Sequence, residues 1–197
     1  MKVIVMTSPT FFEEEDKILS ALFEEGMDAL HLNKPNAAPI YCERLLTLLP
    51  VESYDAITVH SHFYLKEEYG LRGIHIDNAT EAPPQGYKGH LTRTCSLADD
   101  IQEAKRQCDY VLLRDTFAST PDAARMSLLE EASLQGVIDK HVYAMGGITL
   151  STIEAAKSLG FGGVVVRDDL WGMFDIHRQT DYRGLLGHFA QMRKAAL

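Results

Sequence analysis

The chain of 197 residues is sparing with cysteine: only Cys42, Cys95 and Cys108 occur, with no CxxC pair among them. An odd set at such spacings argues against a disulfide framework and leads us to expect reduced thiols in a cytoplasmic protein. Clusters of Lys and Arg are also lacking: 19 basic residues face 28 acidic ones, for a formal charge of −9. That balance argues against nucleic acid and anionic membrane as partners, while a local pocket remains able to oppose the global charge and hold a small anion. No apolar run approaches a membrane span, and the first, Val3 to Met6, is too short for the core of a signal peptide. No linker or low-complexity segment divides the chain, so a single domain over residues 1–197 is expected. Finally, no GxGxxG follows the first run, which counts against a doubly wound dinucleotide-binding sheet.

What the sequence does contain is a period. Short apolar runs begin at Val3, Ala29, Ala56, Gly73, His90, Tyr110, Val142 and Gly163, and extend to Met6, Leu32, Val59, Ile76, Thr94, Leu113, Met145 and Val166. Each has strand length and the apolar or β-branched character of a strand covered on both faces. Between them lie helix signals. Ile18, Leu19, Leu22 and Phe23 form a one-sided stripe behind an acidic run at residues 13–16, where carboxylates suit a helix N-terminus. Leu45, Leu46 and Leu49 repeat the pattern after Pro39, and Ser151 to Glu154 has the form of a capping box opening a helix that ends near Gly160. Eight strands with a crossover after each predict an α/β fold, a single (β/α)8 TIM barrel. It is a short variant: only 13 residues separate Val59 from Gly73, and 13 separate Ile76 from His90, so those two crossovers should be abbreviated.

Chemistry in such a barrel gathers where the strands end. Those ends hold Asn33 and Lys34, His60 and His62, Asp77, Arg93 to Cys95, Arg114 and Asp115, Gly146 and Gly147, and Arg167 to Asp169. His31 and His75 lie within their strands, where alternation pairs His31 with Asn33 and His75 with Asp77 on the inward face. Four histidines on three successive strands are costly to bury without purpose. The adjacent glycines free backbone N–H groups for an anion, in the loop where barrels commonly hold phosphate, and Arg167 adds charge nearby. Asp168 and Asp169 oppose that role unless they point away.

Taken in order, the segments Ala29 to Pro35, Gly73 to Ile76, Asp109 to Leu113 with Phe117 to Ser119, Tyr143 to Ile148 and Gly160 to Val166 resemble the thiamine-phosphate synthase family, which includes the thiazole tautomerases. The resemblance runs from Met1 to about Trp171. It implies a thiamine-biosynthesis enzyme, a transferase that joins a pyrimidine-methyl diphosphate to a thiazole phosphate with loss of diphosphate, or the related tautomerase. On this reading His60, His62 and Cys95 are the candidate catalytic residues. His31, Asn33, Lys34, Arg93, Thr94 and Ser119 would bind substrate, and Gly146, Gly147 and Arg167 would bind phosphate. The resemblance also implies Mg2+, for which Asp77 is the candidate ligand, because the family's usual carboxylate positions hold Ser61 and Thr80 here. The tautomerase's proton-moving histidine aligns with Cys95.

Two other classes stay open. One is a non-catalytic relative that binds a thiazole or thiamine phosphate. The other is a metal-dependent hydrolase, in which His60 and His62 would place two imidazoles on one strand face and Asp168 would supply a carboxylate. The expected partner is a small phosphorylated substrate, without nucleic acid or membrane; a homo-oligomer is left open.

Overall fold

The computed structural model describes residues 1–78, 80–117, 134, 136–175 and 181–197. Its strands are β1 (Lys2–Met6), β2 (Ala29–Leu32), β3 (Ile57–Val59), β4 (Gly73–Ile76), β5 (His90–Cys95), β6 (Tyr110–Leu113), β7 (Val142–Met145) and β8 (Gly163–Val166). All pair in parallel with their sequence neighbours, and β8 closes on β1 through Lys2 opposite Gly163 and Val5 opposite Val166. The described helices are α1 (Glu15–Glu24), α2 (Pro39–Leu48), α3 (Tyr64–Tyr69), α4 (Ala98–Ala104), α5 (Leu150–Leu159), α6 (Asp168–Trp171) and α7 (Arg183–Ala196). This is a TIM barrel. The β3–β4 crossover holds the six-residue α3, and no helix lies between β4 and β5 among the described residues.

The elements form for local reasons that then feed the packing. The α1 stripe buries Ile18, Leu19 and Leu22 against the sheet, while Phe23 is only half-buried. α2 starts on Pro39, whose missing N–H costs nothing at the first helical turn. The α5 cap differs from the expected one. Thr149 is the N-cap, and the reciprocal bond runs from its N–H to Thr152 Oγ1 at 2.7 Å, so the Ser151–Glu154 pairing is displaced by two residues. Gly160 ends that helix in the left-handed conformation. β3 begins one residue late because Val51–Ala56 winds into a 3-10 turn.

Two layers of apolar packing follow from strand alternation. Outward residues such as Val3, Val5, Leu30, Val111 and Val164 join the helices in the larger core. Inward residues Ile4, Met6, Ala29, Tyr110, Leu112 and Val165 form a smaller core inside the barrel. That inner core is apolar on the side of β6, β7, β8 and β1. On the opposite wall, β2 to β5 turn His31, Thr58, His60, His75, Thr92 and Thr94 inward, all buried. Half of the barrel's filling is therefore polar, and each of those groups requires a partner.

Candidate active site

The polar half-layer is held by a directional chain of hydrogen bonds. Asp77, just past β4, places Oδ1 2.9 Å from His60 Nδ1. His60 Nε2 lies 2.9 Å from His31 Nδ1, and His31 Nε2 lies 2.6 Å from the Tyr110 hydroxyl. An ionised carboxylate only accepts, so with neutral rings His60 carries its proton on Nδ1. His60 Nε2 then accepts from the Nδ1–H of His31, and His31 Nε2 accepts from the Tyr110 O–H. Burial holds both His31 and His75 well below the usual imidazole pKa, and lifts the Tyr110 phenol above its usual value, which keeps all three neutral. His75 stacks on His60 with ring centroids 4.1 Å apart. Its Nδ1 and Nε2 bond to Thr92 at 2.7 Å and Thr94 at 2.8 Å, and Nε2 lies 3.6 Å from Asp77 Oδ1.

Above this layer opens a cavity of about 500 Å³. It is lined by Asn33, Asp77, Thr94, Arg114, Asp115, Gly146 to Thr149, Arg167, Asp168 and Asp169. The glycines are demanded by geometry. Gly146 and Gly147 have φ of 94° and 64°. A Cβ on Gly146 would fall 2.9 Å from Asp115 Cα, and one on Gly147 would fall 2.5 Å from the Phe117 carbonyl oxygen. Among the described residues, no acceptor is found for the Gly147 or Ile148 N–H groups. The acidic pair after β8 is accounted for: Asp168 holds Arg167 Nε at 2.8 Å, and Asp169 Oδ2 sits 2.6 Å from His188 Nε2.

The structure brings Asn33, Asp77, Thr94, Gly146, Gly147 and Arg167 to one cavity and clusters His31 and His60 with His75 in the layer beneath it. Ser119 lies outside the described residues. Four expected site residues sit elsewhere. Lys34 Nζ is buried against both oxygens of Glu15, at 2.5 and 2.8 Å, and does not line the cavity. Arg93 and Cys95 alternate with Thr92 and Thr94 and so face the outer layer. There Arg93 bonds to the carbonyls of Asn78 and Glu81, and Cys95 packs into the outer core with its thiol pKa pushed up to about 12 by burial. His62 leaves the strand in a left-handed conformation (φ 53°) and donates from Nε2 to the Ala37 carbonyl at 2.8 Å. The expected His60–His62 pair on one strand face is thus absent, because β3 ends at Val59 and alternation stops with it. Tyr110 and Thr58 were not singled out in the sequence. Their inward positions follow from the same alternation.

The carboxylates at the mouth bear on magnesium. Asp77 and Asp115 both line the cavity, and one Asp77 oxygen is already engaged by His60. This donor set fits a magnesium ion carried on a substrate's phosphates, since Mg2+ is commonly held by one or two carboxylates plus phosphate oxygens and water.

A comparison with protein-family models gave no match, and a comparison with curated proteins gave none. Among solved structures, thiamine phosphate pyrophosphorylase from Bacteroides thetaiotaomicron is 41% identical, with a TM-score of 0.88 over 100% of this chain and 98% of that one. A thiamine phosphate pyrophosphorylase from Pyrococcus furiosus shares the fold at 17% identity and a TM-score of 0.72, covering 99% and 95% of the two chains. 3-Hexulose-6-phosphate synthase shares it at 13% identity and a TM-score of 0.63 over the full length of both. With 41% identity along its whole length to the first of these, the chain belongs to the thiamine phosphate pyrophosphorylase (thiamine-phosphate synthase) family.

Proposed function

We propose that the protein is a thiamine-phosphate synthase, a transferase that joins a pyrimidine-methyl diphosphate to a thiazole phosphate. The observation that carries this reading is one cavity with two kinds of anion-handling group: the glycine turn at Gly146 and Gly147 with Arg167, and Arg114 with the carboxylates Asp77 and Asp115. The first suits the thiazole phosphate, the amides supplying donors and Arg167 adding charge that it shares with Asp168. The second suits a diphosphate, with the Arg114 guanidinium meeting its oxygens directly.

The reaction breaks the bond between the pyrimidine methylene carbon and the diphosphate oxygen, and the electron pair leaves with diphosphate. The thiazole nitrogen then gives its lone pair to the methylene cation, forming the C–N bond. No protein base is needed in that sequence. The protein's contribution is to hold the two substrates in line and to stabilise the departing charge. Asp77 and Asp115 would hold Mg2+, which when bound neutralises charge building on the diphosphate. His60 keeps Asp77 aimed by donating its Nδ1–H, while Asn33 and Thr94 supply polar contacts at the cavity wall. The burial of Cys95 in the outer layer counts against it as a proton carrier for a tautomerase, for which His60 stays a candidate.

The test is direct. Protein supplied with both substrates and Mg2+ should release diphosphate and form thiamine phosphate in equal amounts. Thiazole phosphate binding without product in that assay would replace this reading with the non-catalytic one.

A further inference from the structure

Three imidazoles from adjacent strands occupy barrel space that the opposite wall fills with aliphatic and aromatic groups, and the proposed transfer uses only His60 among them, indirectly. One nitrogen from each of His31, His60 and His75 lies within 4.8 Å of the other two, and all three side chains are buried. Each ring also has an outer partner that fixes its orientation: Tyr110 for His31, Asp77 for His60, and the threonine hydroxyls of Thr92 and Thr94 for His75. Metal-binding histidines are typically steadied in this way, by a carboxylate, hydroxyl or carbonyl on the nitrogen that does not hold the metal.

We propose that His31, His60 and His75 form a binding site for one divalent transition-metal ion of the zinc type, separate from any magnesium carried on substrate. Three neutral nitrogens match the borderline-soft preference of such an ion and disfavour Mg2+, which takes oxygen ligands. His31 Nδ1 and His60 Nε2 are 2.9 Å apart. Ligands on a tetrahedral zinc with bonds of about 2.0 Å stand ~3.3 Å apart, so that pair must separate by only a few tenths of an ångström.

The ion costs one threonine its bond to His75, and the remaining protons can be placed. His60 keeps its Nδ1–H on Asp77 and offers Nε2. His31 must free Nδ1, so its proton moves to Nε2, which then donates to the Tyr110 oxygen. The Tyr110 O–H turns away and needs an acceptor. Thr58 provides it: its buried hydroxyl lies within interaction distance of the Tyr110 phenol. His75 stays neutral and gives one nitrogen to the ion while the other keeps its threonine.

The experiment uses the full chain, freed of metal by chelator and titrated with Zn2+ in a calorimeter and with Co2+ by visible absorption. One ion per chain should bind, with the intense visible bands of a low-coordinate cobalt site. Tyr110→Phe should weaken binding ~10–100-fold, as loss of a histidine's outer partner does. His75→Gln should abolish saturable binding, and His62→Gln and His141→Gln should leave it unchanged. Should the buried variants unfold, nitrogen-15 spectra of the unmodified protein decide. Zn2+ must shift the ring nitrogens of His31, His60 and His75 and move the His31 proton from Nδ1 to Nε2. No stoichiometric binding, or shifts confined to His62, His141 or His188, would overturn the proposal.

Discussion

The Lys34 ammonium lies 2.5 and 2.8 Å from the two carboxylate oxygens of Glu15, with both side chains sealed from solvent. The Thr10 carbonyl accepts a third bond from the same nitrogen, at 3.0 Å, and the Phe11 ring lies 4.4 Å below it. This pair ties the β2 end to the start of α1. Removing one partner by Lys34→Met strands a buried carboxylate and should cost about 3–5 kcal/mol in denaturant unfolding. The double change Lys34→Met with Glu15→Leu should recover most of that loss.

The same pair sets a pH dependence. Burial pushes the Glu15 carboxyl from 4.5 up to about 7. The folded state then binds more protons than the unfolded state between those values, so this group's contribution to stability falls as pH rises from 4.5 to 7. Unfolding free energies measured across that window should decline less steeply in the double variant than in the unmodified protein.

Cysteine reactivity offers a second check. Cys42, Cys95 and Cys108 are all buried, and burial raises each thiol's pKa. Thiolate is the reactive form, so a disulfide reagent at neutral pH should label none of them rapidly in the folded protein and all three after denaturation. Fast native labelling of Cys95 would return it to the list of candidate proton carriers.

The barrel was legible because strand spacing and two-residue alternation are local signals. His31 and His75 facing inward follow from the same rule; applied along β5 it sets Thr92 and Thr94 inward beside His75 and Arg93 and Cys95 outward, against the expectation that those two are site residues. Lys34 was misread for a different reason. Its partner Glu15 is 19 residues away and meets it only after the β1–α1 loop has folded, which no spacing announces. His62 failed because alternation was extended past the last paired residue of β3 into a turn. The order of the histidine chain depended on cross-strand register, for which the sequence holds no direct marker.

Arg167 and Asp168 make a prediction about anion affinity. Asp168 holds the guanidinium through Nε at 2.8 Å and Nη2 at 3.3 Å, so part of its charge is spent locally. Asp168→Asn should tighten binding of inorganic phosphate by a few fold, and Arg167→Met should weaken it, both by calorimetry at low salt. The effects should shrink as salt rises, because both groups are partly exposed. Equal phosphate affinity in all three proteins would separate Arg167 from the anion site.

The glycines after β7 allow a controlled comparison. Gly147 and Gly160 both have positive φ, 64° and 89°. A Cβ at Gly160 meets nothing within 4 Å, whereas one at Gly147 would collide with the Phe117 carbonyl oxygen at 2.5 Å. Gly160→Ala therefore carries only the backbone penalty of a left-handed residue, about 1–2 kcal/mol. Gly147→Ala carries that penalty plus displacement of the loop from Phe117, so it should be the more destabilising of the two in thermal unfolding. Only the Gly147 change moves the N–H groups that line the cavity, so only it should lose affinity for phosphate and for thiazole phosphate. Matched losses of affinity in both variants would mean that global destabilisation, not the geometry of this turn, governs binding. Retained affinity in a folded Gly147→Ala protein would place the phosphate elsewhere on the barrel mouth.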